Sequence, residues 1–195
     1  MIPFNHLGWI FKTFGPVIYP HSVRISLCDF LQAFSPHARV LDIGGGTGVM
    51  CELAYACRDD LDLTVVDPAA GMFKYAKEYV KTHKASAEAL PFEDNSFDMI
   101  LMGEAIHHFN DIDLALKETA RVLKKRGGLF IYDFDVNTFR GKSICTMEKL
   151  LGEPGNFFDP ESLGVVLESY GFSTGFKRHA WRYTMHAQLD KRSSV

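Results

Sequence analysis

The sequence predicts an α/β fold: a Rossmann-like, doubly wound sheet of seven mostly parallel strands with helices on both faces. Three observations carry that expectation. A short apolar run at residues 40–43 holds Asp42 and leads into Gly44, Gly45, Gly46 and Gly48. Met50, Leu53, Ala54 and Cys57 follow at the three-, four- and seven-residue spacing of one helix face, so the order is strand, glycine turn, helix. A second apolar run at residues 61–66 ends in Asp67, and strand and helix patterns keep alternating through residue 135, the signature of a parallel sheet.

Taken in order, residues 1–20 crowd Phe4, Trp9, Ile10, Phe11, Phe14 and Tyr19 between glycines and prolines, which argues against one long helix there. Val23, Leu27, Phe30, Leu31 and Phe34 mark an amphipathic helix that stops near Ser35-Pro36. After the glycine turn and its helix, a polar turn at 58–60 leads into the second strand. Residues 69–82 read as a helix with Met72, Phe73, Ala76, Tyr79 and Val80 inward, and a short third strand is expected at 84–86. The fourth strand spans 97–102. The next helix is capped by Asn110 or Asp111 and ends on Lys124, Lys125 and Arg126, with Gly127 as a left-handed terminator; the basic run reads as a solvated helix end. Strand five covers 129–135. Residues 136–158 show little periodicity. Asp159 with Pro160 opens a last helix ended by Gly171, and 172–180 and 183–189 close the sheet.

With 195 residues the chain is expected to form a single domain over 1–195. A net charge of −3 gives no electrostatic reason to expect a nucleic-acid partner. No run approaches the ~18 apolar residues of a membrane span, and with no basic leader in view a cytoplasmic location is the expectation. Cys28, Cys51, Cys57 and Cys145 show no metal or redox spacing and read as thiols of a reducing compartment. Apart from His107 and His108, the histidines (His6, His21, His37, His83, His179 and His186) form no cluster that argues for a metal, and none is expected.

Spacing narrows the ligand. A dinucleotide turn needs G-x-G-x-x-G, whose last glycine permits close helix–strand packing, whereas Gly44, Gly46 and Gly48 read G-x-G-x-G. A P-loop needs Gly-Lys-Ser/Thr, and Val49 follows Gly48. Asp42 would repel a pyrophosphate and suits a ligand ammonium. Asp67, at the tip of the neighbouring strand, suits the two hydroxyls of a ribose.

The segments VLDIGGGTG at 40–48, VVDPAAGM at 65–72, AEALPFEDNSFDMILMGEAIHHFND at 87–111 and ALKETARVLKKRGGLFIYDF at 115–134 together resemble the class I S-adenosylmethionine-dependent methyltransferases of the compact ubiquinone/menaquinone-biosynthesis type. The resemblance covers most of residues 38–135. It implies S-adenosylmethionine as cofactor, S-adenosylhomocysteine as product and a small-molecule acceptor. On the cofactor side it implies Asp42, Gly44, Gly45, Gly46 and Gly48 at the methionine portion, Asp67 at the ribose, and Pro68, Met72, Ser86 and Ala87 at the adenine. Met102 and Gly103 are expected near the methionine end. Ser86 stands where many relatives carry an acid that accepts from the adenine amino group.

Methyl transfer from a sulfonium is an in-line displacement in which alignment supplies most of the catalysis. His107 and His108, just beyond the fourth strand, are the candidate bases. Tyr19, Glu104 and Asp135 are candidate acceptor contacts, one of Asp133 and Asp135 being expected to face the crevice. Residues 1–20 are a candidate lid and 136–158 a candidate acceptor-site insert. Two other readings remain: a protein of this fold that binds the cofactor without turnover, and a nicotinamide-dependent oxidoreductase, which the glycine spacing and Asp42 disfavour. The oligomeric state is left open.

Overall fold

The computed structural model describes residues 18–152 and 154–190. The elements follow as α1 (His21–Gln32), β1 (Arg39–Ile43), α2 (Val49–Cys57), β2 (Asp62–Val66), a 3-10 helix (Ala70–Tyr75), β3 (Val80–His83) and β4 (Phe97–Gly103). A 3-10 turn (Ile106–His108), α3 (Ile112–Val122), β5 (Leu123–Phe134), α4 (Phe139–Leu150), α5 (Pro160–Ser169), β6 (Phe172–His179) and β7 (Arg182–Leu189) complete the chain. The strands form one seven-stranded sheet in the order β3-β2-β1-β4-β5-β7-β6. Pairing is parallel from β3 to β5 and antiparallel at β5–β7 and β6–β7. The expected doubly wound, mostly parallel sheet is present.

Each central strand is buried on both faces, and side-chain alternation divides the core in two. On β4, Ile100 and Met102 join Ile43, Leu129, Ile131, Leu116 and Leu163 under α3 and α5. Met99 and Leu101 join Val40, Val65, Phe130, Leu27 and Met50 under α1 and α2. Strand order reverses between β1 and β4, so their carboxyl ends flank a crevice, the place where open α/β sheets bind ligands. Asp111 caps α3 by accepting from the Leu114 amide at 3.0 Å, and Asp159 caps α5 from the Ser162 amide at 3.0 Å, as their positions predict.

Several expectations need correction. The helix expected over 69–82 is only the 3-10 turn Ala70–Tyr75, and the third strand lies at Val80–His83, not at 84–86. Val80, Lys81 and Thr82 pair with Leu63, Thr64 and Val65, so strand pairing overrides the helical spacing. Helix α3 ends at Val122, and Lys124, Lys125 and Arg126 belong to the irregular start of β5. There Phe97 pairs with Leu123 but Met99 with Gly128, and the residues between are looped out; Arg126, not Gly127, takes the left-handed conformation at φ 62°. The basic run is solvated, but not as a helix end. Residues 136–158 contain α4, whose poor periodicity reflects Phe139, Met147 and Leu150 standing exposed. Cys28 and Cys57 are joined in a disulfide linking α1 to α2, so only Cys51 and Cys145 are free thiols. No described helix is long and apolar enough to cross a membrane.

Candidate active site

The glycine turn is held by its own backbone. Gly44 donates to the Val66 carbonyl at 2.8 Å and Gly48 to that of Gly45 at 2.8 Å. Gly44, Gly46 and Gly48 all take positive φ (69°, 51° and 78°), which is why side-chain-bearing residues are excluded there. A Cβ on Gly46 would lie 2.9 Å from the Met72 methyl group, so Met72 of the 3-10 helix leans over the turn. Asp67 closes the same turn from β2: its Oδ2 accepts from the Gly46 amide at 3.0 Å and its Oδ1 from the Ala69 amide at 2.7 Å. Burial raises its pKa, against the pull of those two amides. Pro68 is exposed beside it, while Ser86 is half-buried and Ala87 buried in the loop after β3.

Asp42 differs from its neighbours. It is fully buried, and neither carboxylate oxygen meets a donor in hydrogen-bond geometry. Burial and then the nearby Asp67 push its pKa up to about 8, with Cys51 on the first turn of α2 opposing weakly. A carboxylate left in this condition is costly unless a cationic partner arrives. Donor set and space thus fit the amino-acid end of S-adenosylmethionine: a buried acid lacking a donor, bare backbone at Gly44–Gly48, and a second acid one strand away.

Gly103 ends β4 on the Asp42 side. A Cβ there would sit 2.6 Å from both the Met50 Cγ and the Tyr19 hydroxyl oxygen, so Tyr19 closes directly over this strand end. Met102 points into the opposite core and can offer the crevice only its backbone. Tyr19 packs on Tyr132 with ring centroids 5.3 Å apart, and burial, then Glu104 and Asp42, raise its pKa. The rest of the candidate lid, residues 1–17, lies outside the described residues.

Glu104 takes a left-handed backbone (φ 51°), and its amide donates to the Tyr132 carbonyl at 2.7 Å. Its carboxylate pairs with Arg182 at 2.6 Å. Burial raises its pKa to about 7, with Arg182 the main opposing influence. Arg182 lies 3.8 Å over the Trp181 ring, and Trp181 stacks on Phe134 at 5.6 Å. Arg182 was missed in the sequence. No local signal marks it: β7 runs antiparallel to β5 and pairs Arg182 with Phe134, and that register alone brings the start of β7 to the carboxyl edge.

His107 is buried, with Nδ1 2.8 and 2.9 Å from the two Asp133 oxygens and Nε2 3.5 Å from Glu148 Oε2 of α4. Burial would lower its pKa, but Asp133, then Glu148 and Glu104, outweigh it and the net shift is upward. Phe157 stacks on its ring at 4.6 Å, and the Asn156 amide donates to its carbonyl at 3.2 Å. The 136–158 segment therefore covers this side of the crevice. His108 is half-buried, its ring 4.1 Å from that of His107. His107, His108 and Glu148 offer ligand atoms within 4.8 Å of one another. Asp133 and Asp135 also depart from expectation. Two residues apart on an extended chain share a face, and both are buried. Asp135 accepts from Arg178 Nε at 2.9 Å and from the Asn137 amide at 3.0 Å, so it anchors the entry to α4.

Known proteins resemble this chain in sequence and in fold. A methyltransferase-domain family model matches residues 41–131. The ubiquinone/menaquinone biosynthesis C-methyltransferase UbiE of Shewanella sediminis is 34% identical over 109 residues, covering 51% of this chain and 43% of that protein. The uncharacterized methyltransferase YcgJ of Bacillus subtilis is 38% identical over 104 residues, covering 49% of this chain and 40% of its own length. The chain thus spans less than half the length of these curated relatives. A crystal structure of a SAM-dependent methyltransferase from Thermotoga maritima, described as a possible histamine N-methyltransferase, superposes with a TM-score of 0.74 at 23% identity, covering 97% of this chain and 98% of that one. Residues 41–131 are thus similar in sequence to methyltransferase domains, and nearly the whole chain shares the fold of an S-adenosylmethionine-dependent methyltransferase.

Proposed function

We propose that this protein transfers a methyl group from S-adenosylmethionine to a small-molecule acceptor carrying a flat ring. The observation that carries the reading is Asp42, a buried carboxylate without a hydrogen-bond donor, set beside a glycine turn and a second acid. Asp42 would take the ligand ammonium, Asp67 the ribose hydroxyls, and Pro68, Met72, Ser86 and Ala87 the adenine. The cofactor supplies an electrophilic methyl on sulfur. The chain's own work is to fix the line of approach, exclude water and handle the acceptor's proton.

Tyr19, packed against Gly103, serves to shield the methionine end. For the proton, Glu104 at the end of β4 is a candidate base beside His107 and His108; burial raises its pKa to about 7, with Arg182, 2.6 Å away, opposing. His107 stands between Asp133 and Glu148, which favour its protonated form, and it holds the wall on which Phe157 stacks. Half-buried Trp181, stacked on Phe134 with Arg182 3.8 Å over its ring, offers an aromatic surface suited to a planar acceptor. The quinone chemistry named for the Shewanella relative is one acceptor class of that shape. We place the reaction in the cytoplasm; a Cys28–Cys57 disulfide recovered intact from freshly lysed, thiol-blocked cells would argue for an oxidising compartment instead.

The test is calorimetry with S-adenosylmethionine and NADH, followed by mass detection of S-adenosylhomocysteine across a panel of ring-bearing acceptors. Saturable S-adenosylmethionine binding with acceptor-dependent product supports the reading. Binding without product across the panel would favour a non-catalytic binder, and binding of NADH alone would end the proposal.

A further inference from the structure

We propose that His107, His108 and Glu148 form a binding site for one divalent first-row cation of the zinc type, oriented by Asp133. Two nitrogens and one carboxylate oxygen, within 4.8 Å of one another, converge from two separate elements: the 3-10 turn after β4 and helix α4. The His107 Nε2 and Glu148 Oε2 separation is 3.5 Å. Two ligands each about 2.1 Å from a tetrahedral ion stand roughly 3.4 Å apart, so this pair already has the spacing of a chelate. His108 completes the set, its ring lying 4.1 Å from that of His107 and its ligand nitrogen within the same 4.8 Å group.

The second feature is the arrangement behind His107. Its Nδ1 is bonded to Asp133 at 2.8 and 2.9 Å, which fixes the ring and directs Nε2 at Glu148. A carboxylate bonded to the far nitrogen of a histidine is the usual outer support of a metal-bound imidazole, because it sets the tautomer and raises ligand basicity. Phe157, stacked on the ring at 4.6 Å, gives the site an apolar wall. Two histidines and one glutamate match the donor preference of zinc in sites that keep a fourth position open for water or substrate. An open fourth position on such a cation would take water or an acceptor oxygen or nitrogen. The cation site itself does not depend on methyl transfer: a protein that binds zinc but transfers no methyl would keep this inference and lose the preceding one.

The experiment uses the full chain, stripped with chelator and titrated with Zn²⁺ by calorimetry at neutral pH. Variants are Glu148→Gln, His108→Ala and Asp133→Asn, with Cys51→Ser/Cys145→Ser as control and circular dichroism to verify folding. We expect one equivalent bound and at least tenfold weaker binding in Glu148→Gln and His108→Ala. Asp133→Asn should weaken it about 10–100-fold, as outer-support losses do, while the cysteine control binds normally. A chain that binds no zinc saturably, or one whose binding survives Glu148→Gln and His108→Ala, would overturn the site. So would loss of binding in the cysteine control alone. Should His108→Ala fail to fold, Glu148→Gln decides, since it preserves shape and removes only the charged ligand.

Discussion

Asp42 and His107 are both buried at the carboxyl edge of one sheet, yet their surroundings are opposite. Asp42 sits in a notch of bare backbone with no donor on either oxygen. His107 is gripped by Asp133 through one nitrogen, faced by Glu148 at the other and stacked by Phe157. The cofactor half of the crevice thus leaves a buried acid without a partner, and the acceptor half pairs its ionisable groups internally. Changes in the first half should therefore appear chiefly as lost ligand affinity, and changes in the second as lost stability.

The largest effect should come from the acceptor half. His107→Ala removes the imidazole between two buried carboxylates and should cost about 3–5 kcal/mol of folding free energy, the range for breaking a buried pair. Denaturant unfolding measures this, and a loss under 1 kcal/mol would break the comparison. Next, Asp67→Ala should weaken S-adenosylmethionine binding by about 1.5–3 kcal/mol, the scale of hydrogen bonds to a charged group, as read by calorimetry on the folded variant.

Asp42 sharpens the contrast through pH. Its pKa rises from 3.8 in the unfolded chain to about 8 in the folded one, so the native state holds the extra proton between those values. Stability should accordingly fall as pH rises from about 4 to 8 and level off above. Asp42→Asn should lose that slope. Affinity for the ligand ammonium should move the other way, rising with pH to about 8 because binding favours the ionised acid. Calorimetry in buffers of different ionisation heat would register the released proton. The smallest effect is expected at Ser86→Ala, about 0.5–1.5 kcal/mol of cofactor affinity, the worth of one neutral hydrogen bond.

The two halves also differ in how far the sequence revealed them. Asp42, the glycines and Asp67 are local signals: a strand end, a turn that demands positive φ, and the next strand end. Glu148 and Arg182 carry no such mark. Glu148 reaches His107 only because α4 folds back over the strand ends, and α4 itself was hidden by exposed Phe139, Met147 and Leu150. Arg182 meets Glu104 only through the antiparallel β5–β7 register. Val80–His83 was hidden for a related reason, since strand pairing with β2 overrode a helix-like spacing. Caps such as Asp111 and Asp159 were legible because the bonds they make span three residues.

The bond between Cys28 and Cys57 has a thermodynamic consequence. It closes a covalent ring of 29-residue separation that encloses β1 and the whole glycine turn. Closing a loop of that size lowers the entropy of the denatured chain by the equivalent of about 3–4 kcal/mol. Reductant should therefore loosen the ligand-gripping end of the sheet before it disturbs the β6–β7 hairpin, and amide exchange in the two segments, with and without dithiothreitol, would register that order.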